Sequence, residues 1–164
     1  MYSVGQTVLY GTNGVCNIAG ITDRQIGKQL MQYYVLKPIF SESSTLFVPT
    51  KNQQLVGRIR FVKSAKEIRG ILSSLSSPGK WNNDKTKRAE EFKAIITRGD
   101  CSELIGLIRL IRSHEQAQIE HGRRLHISDE RILKEAEKMV CDEISTALDV
   151  SKDEALGMVM KGIH

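Results

Sequence analysis

The residues best suited to chemistry lie together. Between Ser76 and Arg88 the chain reads SSPGKWNNDKTKR, and this stretch holds the only tryptophan, Trp81. Lys80, Lys85, Lys87 and Arg88 flank it, with Asn82, Asn83 and Asp84 between. This is a binding set. Cations can neutralise phosphates, and a large amphipathic ring in so polar and basic a segment has no core among its sequence neighbours. The competing reading is structural: Trp81 packs across the first two helices of a bundle, and the cations form a solvated face. An exposed ring leaves thermal stability unchanged on Trp81→Ala, whereas a packed ring costs about 3–5 kcal/mol.

The residue types that carry catalysis are not arranged to do so. The sequence contains no GxxxxGK[ST] or GxGxxG, so no phosphate-cradling loop can be argued. No HExxH or CxxC points to a metal. His114, His121 and His126 are spaced by seven and five and do not share a helix face with a fourth ligand. Glu90 and Glu91 are adjacent, so they point to different faces of a helix. Ser41, Ser43 and Ser44 lack a nearby His–Asp pair. The expectation is a binding protein rather than an enzyme, with no cofactor and no small-molecule substrate.

Charge points to the same segment. Of the Lys and Arg residues, 12 lie in 51–98 against 4 acids, whereas 127–164 carries 5 against 9. A local basic stretch in a chain of net charge +5 implies a local polyanion site. Cys16, Cys101 and Cys141 are far apart and read as buried free thiols. No apolar run approaches the roughly 20 residues of a membrane span, and the N-terminus lacks a signal-peptide pattern. A cytoplasmic protein without a membrane partner is expected.

Two kinds of element must position these residues. Residues 1–52 read as β: strands over 7–10, 15–21, 30–37 and 45–48. The Asn13-Gly14 turn and prolines 38 and 49 interrupt them. Residues 23–28 read as a polar connection. A small, strongly bent antiparallel sheet or barrel follows from so many short strands. Residues 53–62 read as a linker. Residues 63–164 have helical periodicity, with capping signals at Ser64, Asp100 and Ser151, each with Glu three residues on. The expected helices begin after Ser64, near Asn83, after Asp100, at Ser128 and after Ser151. Residues 114–124 are expected to fray. The fold class is α+β, a small β unit followed by a helical bundle.

The β residues Val4, Gly5, Val8, Leu9, Tyr10, Gly14, Ile18, Tyr33–Lys37, Val48 and Pro49 resemble the RNA polymerase-interacting domain of the CarD/CdnL family. Bacterial transcription-repair coupling factors share that domain. Val56, Gly57 and Arg58, Trp81 before a basic helix, and Ser128, Arg131, Leu133 and Ala136 look like the CarD C-terminal domain. The resemblance implies a Tudor-like domain that docks on the β-subunit lobe of RNA polymerase by adding its sheet edge. It further implies a helical domain that touches promoter DNA at the upstream edge of the bubble, with its tryptophan in the minor groove, stabilising the open complex.

Residue by residue, it implies polymerase contacts at Arg24, Thr45 and Phe47. DNA contacts are implied at Trp81, Lys80, Asn82, Lys85, Lys87 and Arg88, and at Arg131 and Lys134. For the last two, i,i+4 pairing with nearby acids is the alternative. Three departures stand out. Phe47 occupies a position that is often basic, Gly11-Thr12-Asn13 replaces a Pro-x-His, and Asn82–Lys85 replaces an Arg and a Tyr. The functional expectation is a non-catalytic transcription regulator bridging polymerase and promoter. The alternative is a Tudor-like nucleic-acid-binding or adaptor module that does not bind polymerase.

Overall fold

Residue alternation with period two gives way to helical periodicity near residue 62, and the structure divides there. The computed structural model describes residues 1–41 and 43–161. It forms two units, Met1–Val62 and Lys63–His164.

In the first unit, β1 (Thr7–Tyr10) and β2 (Val15–Ile26) are joined by a 3-10 turn over Gly11–Asn13. Gly14 closes that turn at φ 75°, a left-handed conformation that favours glycine. β3 (Gln29–Pro38) returns along β2 through a two-residue turn, where Gly27 sits at φ 63°. β4 (Leu46–Pro49) pairs with β3, and β5 (Ile59–Phe61) pairs with β1. The strand order is β4-β3-β2-β1-β5, all antiparallel where paired. The sheet is therefore open, with β4 and β5 at its ends, and the expected barrel does not close. A bulge between Ile18 and Gly20 shifts the β2–β3 register. Val8, Cys16, Ile18, Tyr34, Leu36, Val48 and Ile59 form the core.

Two expectations for this unit are corrected. Residues 23–28 are not a loose connection, because β2 continues to Ile26 in register with β3, Arg24 opposite Met31. Its polar residues conceal the strand, since neither face there alternates cleanly. Nor are residues 53–62 a linker. They hold the one-turn helix α1 (Gln53–Val56), capped by the Asn52 side chain on Leu55 N at 3.1 Å, and then strand β5. Ile59 is buried, and its carbonyl accepts from the Tyr2 hydroxyl at 2.8 Å. Both features tie the segment into the first unit.

The second unit comprises α2 (Ala65–Ser73), α3 (Lys85–Arg98), α4 (Cys101–Glu120), α5 (Ile127–Leu148) and α6 (Lys152–Val159). Ser64 and Glu67 form a reciprocal capping box on α2. Asp84 caps α3 by accepting from Thr86 N and Lys87 N. Asp100 and Ser151 cap α4 and α6. α5 begins one turn's edge earlier than the sequence implies: His126 stands at its N-cap without a side-chain bond, and Ser128 lies inside the first turn. α4 does not fray at His114. It continues to Glu120, held by Arg112 on Glu115 and Glu137 and by a Gln118–His114 hydrogen bond of 2.9 Å. Gly122, at φ 68°, then turns the chain. Ile68, Phe92, Leu104, Ile108, Ile111, Leu133, Met139 and Ile144 are among the core residues. Cys16, Cys101 and Cys141 are buried and joined in no disulfide; burial pushes the Cys141 thiol up to about 11. No helix among the described residues is long and apolar enough to cross a membrane.

Candidate functional site

The free edge of β4 is the first site. Thr50 N donates to Gln32 O at 3.0 Å, so the residues of β4 in phase with Thr50 turn their backbone groups toward β3. In an antiparallel ladder this direction alternates. Phe47 therefore turns its N–H and C=O to the open side, and Pro49, in phase with it, has no N–H to offer. Among the described residues, the result is a short edge with unpaired backbone groups around Phe47, bounded by a proline.

The same strip carries a cation–aromatic pair. The Arg24 guanidinium lies 3.9 Å over the Phe47 ring, and both residues are exposed. Tyr33 meets the same ring edge-on with centroids 6.4 Å apart. The pairings Thr22–Tyr33, Arg24–Met31 and Val35–Phe47 explain this, because they put these side chains on the sheet face opposite the core. Thr45 is exposed just before β4. The structure thus brings Arg24, Thr45 and Phe47 to one end of the sheet. Arg24 gets there from a strand, where the sequence suggested a connection.

The second site surrounds Trp81 in the second unit. Trp81 is half-buried and packs against the bundle core. His114 of α4 stacks on it with centroids 3.7 Å apart and planes 1° from parallel. Phe92 of α3 meets it edge-on at 5.7 Å, and the Arg88 guanidinium lies over it at 4.7 Å. Arg88 is itself buried. Its Nε and Nη2 donate to the two carboxylate oxygens of Asp129 at 3.1 and 2.8 Å, and Nη1 donates to Asn82 O at 3.0 Å.

These contacts revise three expectations. Arg88 is no phosphate contact, since its side chain is only 4% exposed and its fork is filled by Asp129. Asn82 is half-buried and accepts from Asp84 N at 2.9 Å, building the turn into α3. Trp81 is not a free ring in a polar loop. The cations that remain available are Lys80, Lys85, Lys87 and Arg131, exposed and without an ion pair among the described residues. Lys134 is exposed but pairs with Glu130 at 3.5 Å across one helical turn.

His114 and Asp129 were not legible as parts of this site. Asp129 meets Arg88 across 41 residues, a separation that leaves no local pattern. His114 is held below the usual 6.5, first by burial, then by the Arg88 charge. Asp129 opposes that shift and His126 adds to it. The Gln118 amide nitrogen lies 2.9 Å from His114 Nε2, within hydrogen-bond distance.

The first unit thus ends in an open strand edge beside an exposed cation–aromatic cluster. A family comparison gives that unit its kinship: residues 2–62 match the family described as CarD-like/TRCF RID domain. The match ends where the first unit ends and supports a CarD-like RNA polymerase-interacting domain there.

Proposed function

We propose that the protein is a non-catalytic regulator of transcription initiation that bridges RNA polymerase and promoter DNA. The carrying observation is the family match over the whole first unit, which has an unpaired β4 edge at its end. The first unit docks on the β-subunit lobe by strand addition along Phe47, with Arg24 and Thr45 beside it. The open sheet, with its long β2–β3 hairpin and bulge at Gly20, is our Tudor-like domain. The helical unit meets promoter DNA at the upstream edge of the bubble through Lys80, Lys85, Lys87 and Arg131. Trp81 acts there as a preorganised wedge: its stack with His114 is kept, and its exposed edge meets the distorted step.

The energetics favour such an arrangement. A small basic patch binds DNA non-specifically with Kd on the order of 10⁻⁴–10⁻⁶ M at physiological salt. Tethering through polymerase raises the effective DNA concentration toward roughly millimolar, so a weak contact becomes occupied without sequence readout. A contact that favours open over closed complex by ~1.4 kcal/mol shifts that equilibrium about tenfold. Unstacking a base step costs a few kcal/mol, and less where DNA is already distorted. A cytoplasmic location follows from this role.

Binding of the full chain to isolated polymerase β lobe, and footprinting of polymerase–promoter complexes with and without it, test the proposal. Capture by the lobe and added protection at the upstream bubble edge are expected. DNA binding without lobe binding leaves instead a nucleic-acid-binding module that does not engage polymerase, and removes the proposal.

A further inference from the structure

The helical unit exposes two large apolar side chains among the described residues, Ile119 at 57% and Ile127 at 78%. They are not scattered, because they bracket the turn between α4 and α5, residues 121–126. That turn carries Arg123 and Arg124, both exposed and without an ion pair among the described residues. The turn is held in place. Gly122 N donates to Ile119 O at 2.9 Å and Arg123 N to Gln118 O at 2.8 Å, which closes the end of α4. Leu125 packs on the bundle core. An aliphatic side chain is therefore presented from a fixed position in a cationic setting.

The turn stands at the Trp81 site. Asp129, two residues past Ile127, holds Arg88, and Arg88 lies over the Trp81 ring. The His126 charge acts on His114, which stacks on that ring. Two residues turn about 200° around a helix, so with Asp129 buried Ile127 points away from the bundle. Trp81 itself is encumbered. A side chain that enters a base step needs both of its faces bare, and one face of Trp81 is taken by His114 at 3.7 Å. Beyond Ile127 the outer face of α5 is Ser128, Glu130, Arg131 and Lys134, all exposed and polar. That face offers no apolar stripe to lie on a membrane or to fill a protein groove. A single aliphatic group among cations fits a gap between bases, and isoleucine is one of the residues that insert there.

We propose that Ile127 is an aliphatic wedge that enters a distorted DNA base step beside the Trp81 edge, while Arg123 and Arg124 hold the flanking phosphates. This rests on the promoter-DNA reading above and deepens it by adding the α4–α5 turn to the interface. Insertion selects DNA that is already distorted, because unstacking costs less there.

The full chain is titrated with two duplexes of one sequence, one fully paired and one with a short run of mismatches. A 2-aminopurine beside the mismatch junction reports unstacking. The unsubstituted protein is expected to bind the mismatched duplex more tightly and to raise the 2-aminopurine fluorescence. Ile127→Ala is expected to lose roughly fivefold in affinity for the mismatched duplex and to lose the fluorescence rise. Its affinity for the paired duplex and its thermal midpoint should stay as they were. Arg123→Ala and Arg124→Ala should weaken binding to both duplexes, each lowering the salt slope by roughly 0.9. If the unsubstituted protein binds neither duplex, the DNA reading falls and this proposal with it. If it binds, but Ile127→Ala keeps both the preference and the fluorescence rise, the proposal alone is overturned. An Ile127→Ala protein that loses polymerase β-lobe binding while keeping its DNA binding makes the residue a protein contact, and overturns it as well.

Discussion

Two arginines lie over two aromatic rings, one in each unit, and their surroundings differ completely. Arg24 covers Phe47 at 3.9 Å on an exposed sheet face. Arg88 covers Trp81 at 4.7 Å, deep in the helical bundle, and is pinned by Asp129 and by the Asn82 carbonyl. The closer contact belongs to the freer pair. An exposed cation–π contact is worth about 0.5–1 kcal/mol, so Arg24 and Phe47 can exchange each other for a partner at little cost. Arg88 has no such freedom, because withdrawing it strands a buried carboxylate. The first pair reads as surface held ready for binding, the second as framework that sets where Trp81 stands.

The hardest way to break this contrast is through Asp129. Asp129→Ala leaves a buried guanidinium unpaired, which typically costs 3–5 kcal/mol, about as much as any single change in a domain. The unfolding midpoint is expected to fall by more than ~10 °C for a unit of this size. A loss below ~1 kcal/mol in chemical denaturation would mean that Arg88 finds water and that the pair is not framework. Next in size is Trp81→Ala. A fully buried tryptophan costs about 3–5 kcal/mol to truncate, and a half-buried one less, about 2 kcal/mol here. The stability-neutral outcome that fits a free wedge is therefore not expected. Trp81→Phe keeps a ring against His114 and separates the roles: near-native stability with weakened open-complex protection is expected from footprinting.

Phe47 and Arg24 should behave in the opposite way. Phe47→Ala and Arg24→Ala are expected to change stability by no more than about 0.5 kcal/mol, as surface substitutions do. Binding to the polymerase β lobe should weaken roughly tenfold for Phe47→Ala, the scale of an interface anchor. Equal loss of stability and binding would remove the distinction between the two pairs. Smaller still is the effect of one lysine: Lys85→Ala or Lys87→Ala should lower the salt slope of DNA binding by roughly 0.9.

How far this contrast was legible depends on the range of the interactions. Local chemistry announced itself. Thr7–Tyr10 is a strand as its β-branched run implies, and Ser64, Asp100 and Ser151 cap helices as their spacing to a glutamate implies. Elements sustained by partners did not. β2 runs past Ile21 because β3 supplies its hydrogen bonds, and β5 exists because β1 has an edge to fill. α4 outlasts His114 because Glu137, on another helix, holds Arg112. The site follows the same rule. Lys85 and Lys87 are exposed as a basic helix start suggests, whereas Arg88, one residue on, turns inward to an acid that nothing nearby in sequence foretells.

His114 offers the finest probe of the buried pair. Its pKa is lowered from 6.5 by burial and by Arg88, with Asp129 opposing and His126 adding to the shift. A depressed folded pKa means that the unfolded chain takes the proton first. Its contribution to stability is full above the unfolded value, near 6.5, and is lost as pH falls toward the folded pKa, below which the loss levels off. Protonation also puts a charged imidazolium against Trp81. Trp81 fluorescence and the thermal midpoint should therefore change together below about pH 6.5. His114→Gln should flatten both below that pH. Arg88→Met in the Asp129→Leu background removes both charges and should move the fluorescence midpoint upward, since Arg88 outweighs Asp129 among the causes of the shift. A midpoint that does not move would assign the depression to burial alone and leave Arg88 with a purely steric hold on the ring.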